Sequence, residues 1–143
     1  MAKIQVFLDS DVIISSLLSK TGASFEIIRT PKVEKIISKF IEGETREVSK
    51  RLKIKEKSVK KGLQKIGQVS ISLTKEEIVK KYKRYVFHGV DSHVIAGAHK
   101  SKSKFLLTHN IKHYKINKIR NELEILVLKP GNFLQYLRSV DKS

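Results

Sequence analysis

Residues 4–18, I-Q-V-F-L-D-S-D-V-I-I-S-S-L-L, leave the chain few ways to fold. Ile4 to Leu8 reads as a short apolar strand of the kind covered on both faces. Ser10 or Asp11 can cap the helix that follows it through Leu18. Between strand and helix stand two acids, Asp9 and Asp11. A carboxylate that close to a core is costly unless it is paired, protonated or bound to metal.

The same alternation continues. A turn at Lys20-Thr21-Gly22 leads to a short helix over Ala23 to Arg29, which stops before Pro31. Val33 to Ile37 suits a brief strand, and Phe40 to Lys53 and Lys57 to Ile66 suit helices. Val69-Ser70-Ile71-Ser72-Leu73 alternates like a strand. Thr74 and Glu77 form a capping box for a helix reaching about Val86. Asp91 to Lys100 is predicted helical, Lys104 to Leu107 and Leu123 to Leu128 strands, and Phe133 to Leu137 part of a closing helix. No repeat, linker or low-complexity tract interrupts the sequence. Strands alternating with helices predict a single domain over 1–143, a three-layer α/β/α fold with a mainly parallel central sheet.

Composition narrows the function. Cysteine is absent, which excludes disulfides, thiolate metal sites and thiol nucleophiles. No apolar run is long enough to span a bilayer and no signal-peptide pattern opens the chain, so a soluble cytoplasmic protein without a membrane role is expected. Thirty Lys and Arg against 14 Asp and Glu give a formal balance of +16. Such a field draws polyanions to the surface, RNA among them. A solvated lysine-rich surface would look the same by charge alone.

Four polar residues are candidates for chemistry. In open parallel sheets the working crevice lies beyond the carboxyl ends of the strands. Asp9 follows the first strand, and Thr108-His109-Asn110 follows Lys104 to Leu107 in the equivalent place. Glu44 falls on the helical stripe of Ile41, Val48 and Leu52, whereas Glu42 and Glu47 lie off it. Asp91 precedes Val94, Ile95 and Ala98 at i+3, i+4 and i+7. Singly, Asp91 can be a helix cap and Glu44 half of an ion pair. Together, Asp9, Glu44, Asp91 and Asn110 from four segments would crowd like charges into one crevice. A hard divalent cation, Mg²⁺ or Mn²⁺, relieves that conflict, with Asp11 capping the helix or supporting Asp9 from behind.

These segments resemble the motifs of PIN-domain nucleases. F-L-D-S-D-V-I-I-S-S-L-L is similar to the first, I-S-K-F-I-E-G-E-T-R-E-V to the second, D-S-H-V-I-A-G-A to the third and F-L-L-T-H-N-I-K-H-Y to the fourth. L-K-P-G-N-F-L-Q-Y-L is similar to the last strand and helix. The resemblance implies a PIN-like fold and a metal-dependent ribonuclease cutting single-stranded RNA. Asp9, Glu44 and Asp91 would be its catalytic metal ligands, and Thr108 would donate its hydroxyl to a carboxylate or phosphate. Small stand-alone members are often toxins held by a cognate antitoxin, which makes an antitoxin and a homodimer the expected protein partners. Two departures stand out: Asn110 where many members carry a fourth carboxylate, and His88 where some carry an extra acid.

Alternatives remain at this level. The chain can be an RNA-processing nuclease without an antitoxin, or a non-catalytic module binding RNA or a partner. Its five histidines also permit metal-free acid–base chemistry, with His109 and His113 at zinc-like i, i+4 spacing. The simpler expectation is that the histidines are exposed or touch phosphate.

Overall fold

The computed structural model describes residues 3–141. Five strands, β1 (Ile4–Leu8), β2 (Val33–Ser38), β3 (Gly67–Val69), β4 (Phe105–Leu107) and β5 (Leu126–Leu128), form one all-parallel sheet ordered β3-β2-β1-β4-β5. The most apolar strand is central: Val6, Phe7 and Leu8 are all fully buried, as a parallel strand covered on both faces must be.

Helices α1 (Ser10–Leu18), α2 (Ala23–Arg29), α3 (Lys39–Arg51) and α4 (Glu56–Leu63) follow β1 and β2 and pack on one another; α8 (Pro130–Asp141) joins α2. The opposite layer holds α5 (Lys75–Tyr82), α6 (Ser92–Lys100) and α7 (Ile116–Leu123). This is the expected three-layer α/β/α architecture. Among the described residues no helix is long and apolar enough to cross a membrane.

Chain order sets where a site can form. From β1 the chain steps to β2 and β3 on one side, then returns to β4 and β5 on the other. The direction therefore reverses between β1 and β4, and ligands bind at the carboxyl ends of strands at such a point. The residues following those two strands are Asp9 and Thr108. The Asp9 N–H still donates to the Leu107 carbonyl at 3.0 Å, and that of Thr108 to Leu128 at 3.1 Å, so the ladder pins both.

Several local expectations are corrected. The cap of α1 is Asp9 itself, whose carboxylate accepts from the Ser10 N–H at 2.8 Å; neither Ser10 nor Asp11 caps it. Only Gly67–Val69 pairs as β3, because its neighbour β2 ends at Ser38, which faces Val69 and turns to cap α3. Residues 70–73 have no strand left to pair with. The segment before β5 is α7, whose Ile116, Ile119 and Leu123 follow helical spacing, so the last strand begins only at Leu126. The Thr74–Glu77 capping box forms as expected.

The stripe assigned to α3 is also different. Its buried residues are Ile41, Thr45 and Ser49, one helical turn apart, while Leu52 is 50% exposed. Thr45 satisfies its hydroxyl by donating to the Ile41 carbonyl at 2.8 Å. Glu44 therefore flanks the buried line instead of lying on it.

Candidate functional site

Asp9 is buried at the end of β1 and is the best-held side chain of the site. Besides the Ser10 amide, its Oδ2 accepts from the Tyr114 hydroxyl at 2.7 Å and the Thr108 hydroxyl at 3.0 Å. Burial first, and then the carboxylate it faces, push the Tyr114 pKa well above the usual tyrosine range, so this hydroxyl remains a donor.

Asp11, one position into the first turn of α1, reaches across to the turn after β4. Both its oxygens accept from the His109 N–H, at 3.2 and 3.1 Å, and its Oδ2 lies 3.2 Å from Thr108 Oγ1. One hydroxyl proton cannot serve Asp9 and Asp11 at once. Thr108 is fixed in turn by the Asn110 N–H, which donates to its oxygen at 3.0 Å. Burial, and after it the charge of Asp9, push the Asp11 carboxyl up to about 7. Two acids thus share one corner with a surplus of negative charge.

Asp91 stands at the start of α6 without capping it, since its side chain accepts no hydrogen bond from the helix. Its Oδ2 lies 3.2 Å from His113 Nδ1. Burial raises its pKa; His113 and His93 oppose the shift, and Asp9 and Glu44 add to it. Asp91 therefore feels both other candidate acids. Glu44 lies 3.2 Å from His93 Nε2, with its side chain 44% exposed. Glu42 points elsewhere, to Gln68 of β3 and to Arg46.

Asn110 contributes its backbone; its side chain is exposed. Among the described residues, no three His, Asp or Glu side chains are gathered closely enough to hold one metal ion. The donor chemistry nevertheless suits a hard cation. Asp9, Asp11 and Asp91 are oxygen donors; burial first and then the charge of Asp9 push the Asp11 and Asp91 carboxyls up, and a divalent charge relieves that conflict.

Tyr114, His113 and His93 escaped the sequence reading as site residues. Tyr114 had a signal, as the aromatic beside the fourth motif. The histidines were weighed only for metal-free chemistry, because the acids they meet come from distant segments. Four of the five are tied to other side chains: His93 and His113 to the acids, His99 to the Tyr82 hydroxyl at 2.8 Å, and His109 to Ser24 Oγ at 3.1 Å. His109 and His113 thus turn to different partners, and only His113 belongs to a 3₁₀ turn (Ile111–His113), so they form no zinc-like helical pair. An isolated antiparallel bridge, Val86 to Tyr114, joins the approach to Asp91 to the segment bearing His113. It is flanked by Phe87 N–H donating to the His113 carbonyl at 3.0 Å and Lys115 N–H to that of Tyr85 at 2.9 Å.

No family model and no curated protein matches the sequence. Solved structures do. The VapBC2 complex of Rickettsia felis, bound to a DNA fragment from its promoter, superimposes with a TM-score of 0.61 at 14% identity, covering 88% of this chain and 98% of that one. A toxin–antitoxin complex from Klebsiella pneumoniae gives 0.61 at 18% identity, covering 87% and 97%. VapBC-1 from nontypeable Haemophilus influenzae gives 0.60 at 13%, covering 90% and 99%. At these identities the likeness establishes the fold, and the PIN-like architecture suggested by the motifs is the one the chain adopts.

Proposed function

We propose that the chain is a divalent-metal-dependent endoribonuclease acting on single-stranded RNA, and that it works as the toxin of a toxin–antitoxin pair. The observation carrying the reading is the corner where Asp9, Asp11 and Thr108 meet at the switch point of a parallel sheet, with Asp91 close enough to feel Asp9. Acids pushed up by burial and by a neighbouring charge at the mouth of a crevice mark candidate functional sites.

Asp9, Glu44 and Asp91 would hold Mg²⁺ or Mn²⁺, with Asp11 and Asn110 beside them. The cation, when bound, would lower the pKa of a water and stabilise charge on the phosphorane. The protein groups have their own tasks. Tyr114 and Thr108 aim the Asp9 carboxylate, and the His109 amide aims Asp11. His113 and His93 contact Asp91 and Glu44, and must release them for all three acids to converge. Lys and Arg side chains would track the phosphate backbone without reading sequence. The three structural neighbours are toxin–antitoxin complexes, which supports an antitoxin as partner.

A second reading has one observation in its favour. Glu44 and Asp91 are engaged by histidines and Asn110 replaces a charge, as suits a module that binds RNA or a partner and does not cut. Cleavage of a short single-stranded RNA across a Mg²⁺ or Mn²⁺ titration separates the two. Metal-dependent cutting, lost in Asp91→Asn, is the expected result. A parent protein that binds RNA and never cuts it would establish the module instead.

A further inference from the structure

A cavity of about 490 Å³ opens beside the carboxylates, walled by Phe40 and Gly43 of α3, by Val90 and by the paired Glu44 and His93. That volume falls within the range of small-ligand sites, roughly 300–1,000 Å³. Its character is mixed in a particular way. Phe40 lies against the His93 ring, with centroids 5.5 Å apart, and forms an apolar wall. Val90, just ahead of Asp91, is 79% exposed and adds an apolar surface on the other side. Two lysines stand at the mouth, Lys39 as the first residue of α3 and Lys75 as the first of α5. Glu44 is the acid of the wall, and His93 faces it.

An apolar slot with cations at its mouth matches a nucleotide: a flat base inside, phosphates outside. We infer that this cavity is a nucleobase subsite, seating one base of a single-stranded RNA next to the cleavage point between Phe40 and Val90, with Lys39 and Lys75 on the flanking phosphates. The inference rests on the nuclease reading above, because its wall includes Glu44 and places the base beside the reacting phosphate. A base held by stacking is recognised through its π face, so the slot imposes position along the strand more than identity. The overall charge of +16 brings RNA to the surface; the slot sets which phosphate stops over the acids.

Gly43 offers a clean test. A Cβ built there meets nothing within 4 Å, so Gly43→Leu starts an apolar side chain in open space at the wall of the slot and replaces a helical glycine by a better helix former. The probes are short single-stranded RNAs in EDTA, intact or with one base deleted at each position in turn, with binding read by fluorescence anisotropy at low salt. Deleting one particular base should weaken binding to the parent protein roughly tenfold, and deletions elsewhere much less. Gly43→Leu should bind intact RNA roughly tenfold more weakly and lose that positional effect. Val90→Ala should weaken intact RNA in the same direction. If the parent protein and Gly43→Leu bind intact RNA equally, the slot seats no base and the inference falls. If the parent protein cuts RNA with Mg²⁺ but ignores every base deletion, the subsite falls and the nuclease reading stands. If it neither binds nor cuts RNA, both fall.

Discussion

Asp9 is buried and receives three hydrogen bonds at the carboxyl end of the central strand, whereas Glu44, on the helix side, meets a single histidine and is 44% exposed. The first is held by elements that cannot move without breaking the sheet. The second is held by one rotamer of a long side chain on the surface of α3. Half of the site is therefore built into the backbone, and half is supplied by side chains free to change partner. A cation needs both: a fixed ligand to define where it sits, and adjustable ones to close around it.

The largest effect should come from the fixed half. Asp9→Asn removes a full charge from the corner, and RNA cleavage in Mg²⁺ should fall at least about a hundredfold. Activity near that of the parent protein would mean that the strand-end acid is only a helix cap. Next comes the joint between the halves. Gly97 lets α6, which carries His93 and follows Asp91, lie flush on β1; a methyl there would overlap the Phe7 ring. Gly97→Ala should lower stability by about 1–3 kcal/mol in urea unfolding and weaken cleavage as well.

A paired measurement sharpens the contrast. Tyr114→Phe takes one donor from buried Asp9 and should cost about 2 kcal/mol, since hydrogen bonds to charged groups are the stronger kind. Glu44→Gln should cost no more than about 0.5 kcal/mol, as expected for an exposed pair. Equal losses would erase the distinction between the halves.

The last contrast is in pH. With metal chelated, Asp11 titrates near 7 in the folded chain against an ordinary 3.8. Below about 3.8 both states hold the proton and nothing is lost. Between the two values the fold keeps a proton that the unfolded chain releases, so stability falls as pH rises; above about 7 the loss is complete and constant. Asp11→Asn should flatten that slope and exceed the parent protein at neutral pH. Thermal midpoints against pH with identical slopes would remove Asp11 from the repulsive pair.

The strand-end half was the legible half. Asp9 and Thr108 each end an apolar strand, and strand ends are visible in sequence. Glu44 was chosen for a stripe that α3 does not bury: Thr45 and Ser49 look polar, yet they are the inward positions. Hydroxyls that bond to their own helix, as Thr45 does, can be buried, and hydropathy misses them. The strand assigned to residues 69–73 failed for a different reason. Alternation describes what a segment can do, and β2 had already ended beside it. His93 and His113 were beyond reach because their roles depend on acids 49 and 22 positions away.

Consecutive residues, His113 and Tyr114, grip different acids, Asp91 and Asp9. Neighbouring Cα atoms are held about 3.8 Å apart by covalent geometry. The gap between those two carboxylates is thus gauged by a single peptide unit, itself clamped by the Val86–Tyr114 bridge. Packing can loosen with heat or mutation without changing that gauge. One glycine inserted between the two residues would reset it while leaving every acid in place.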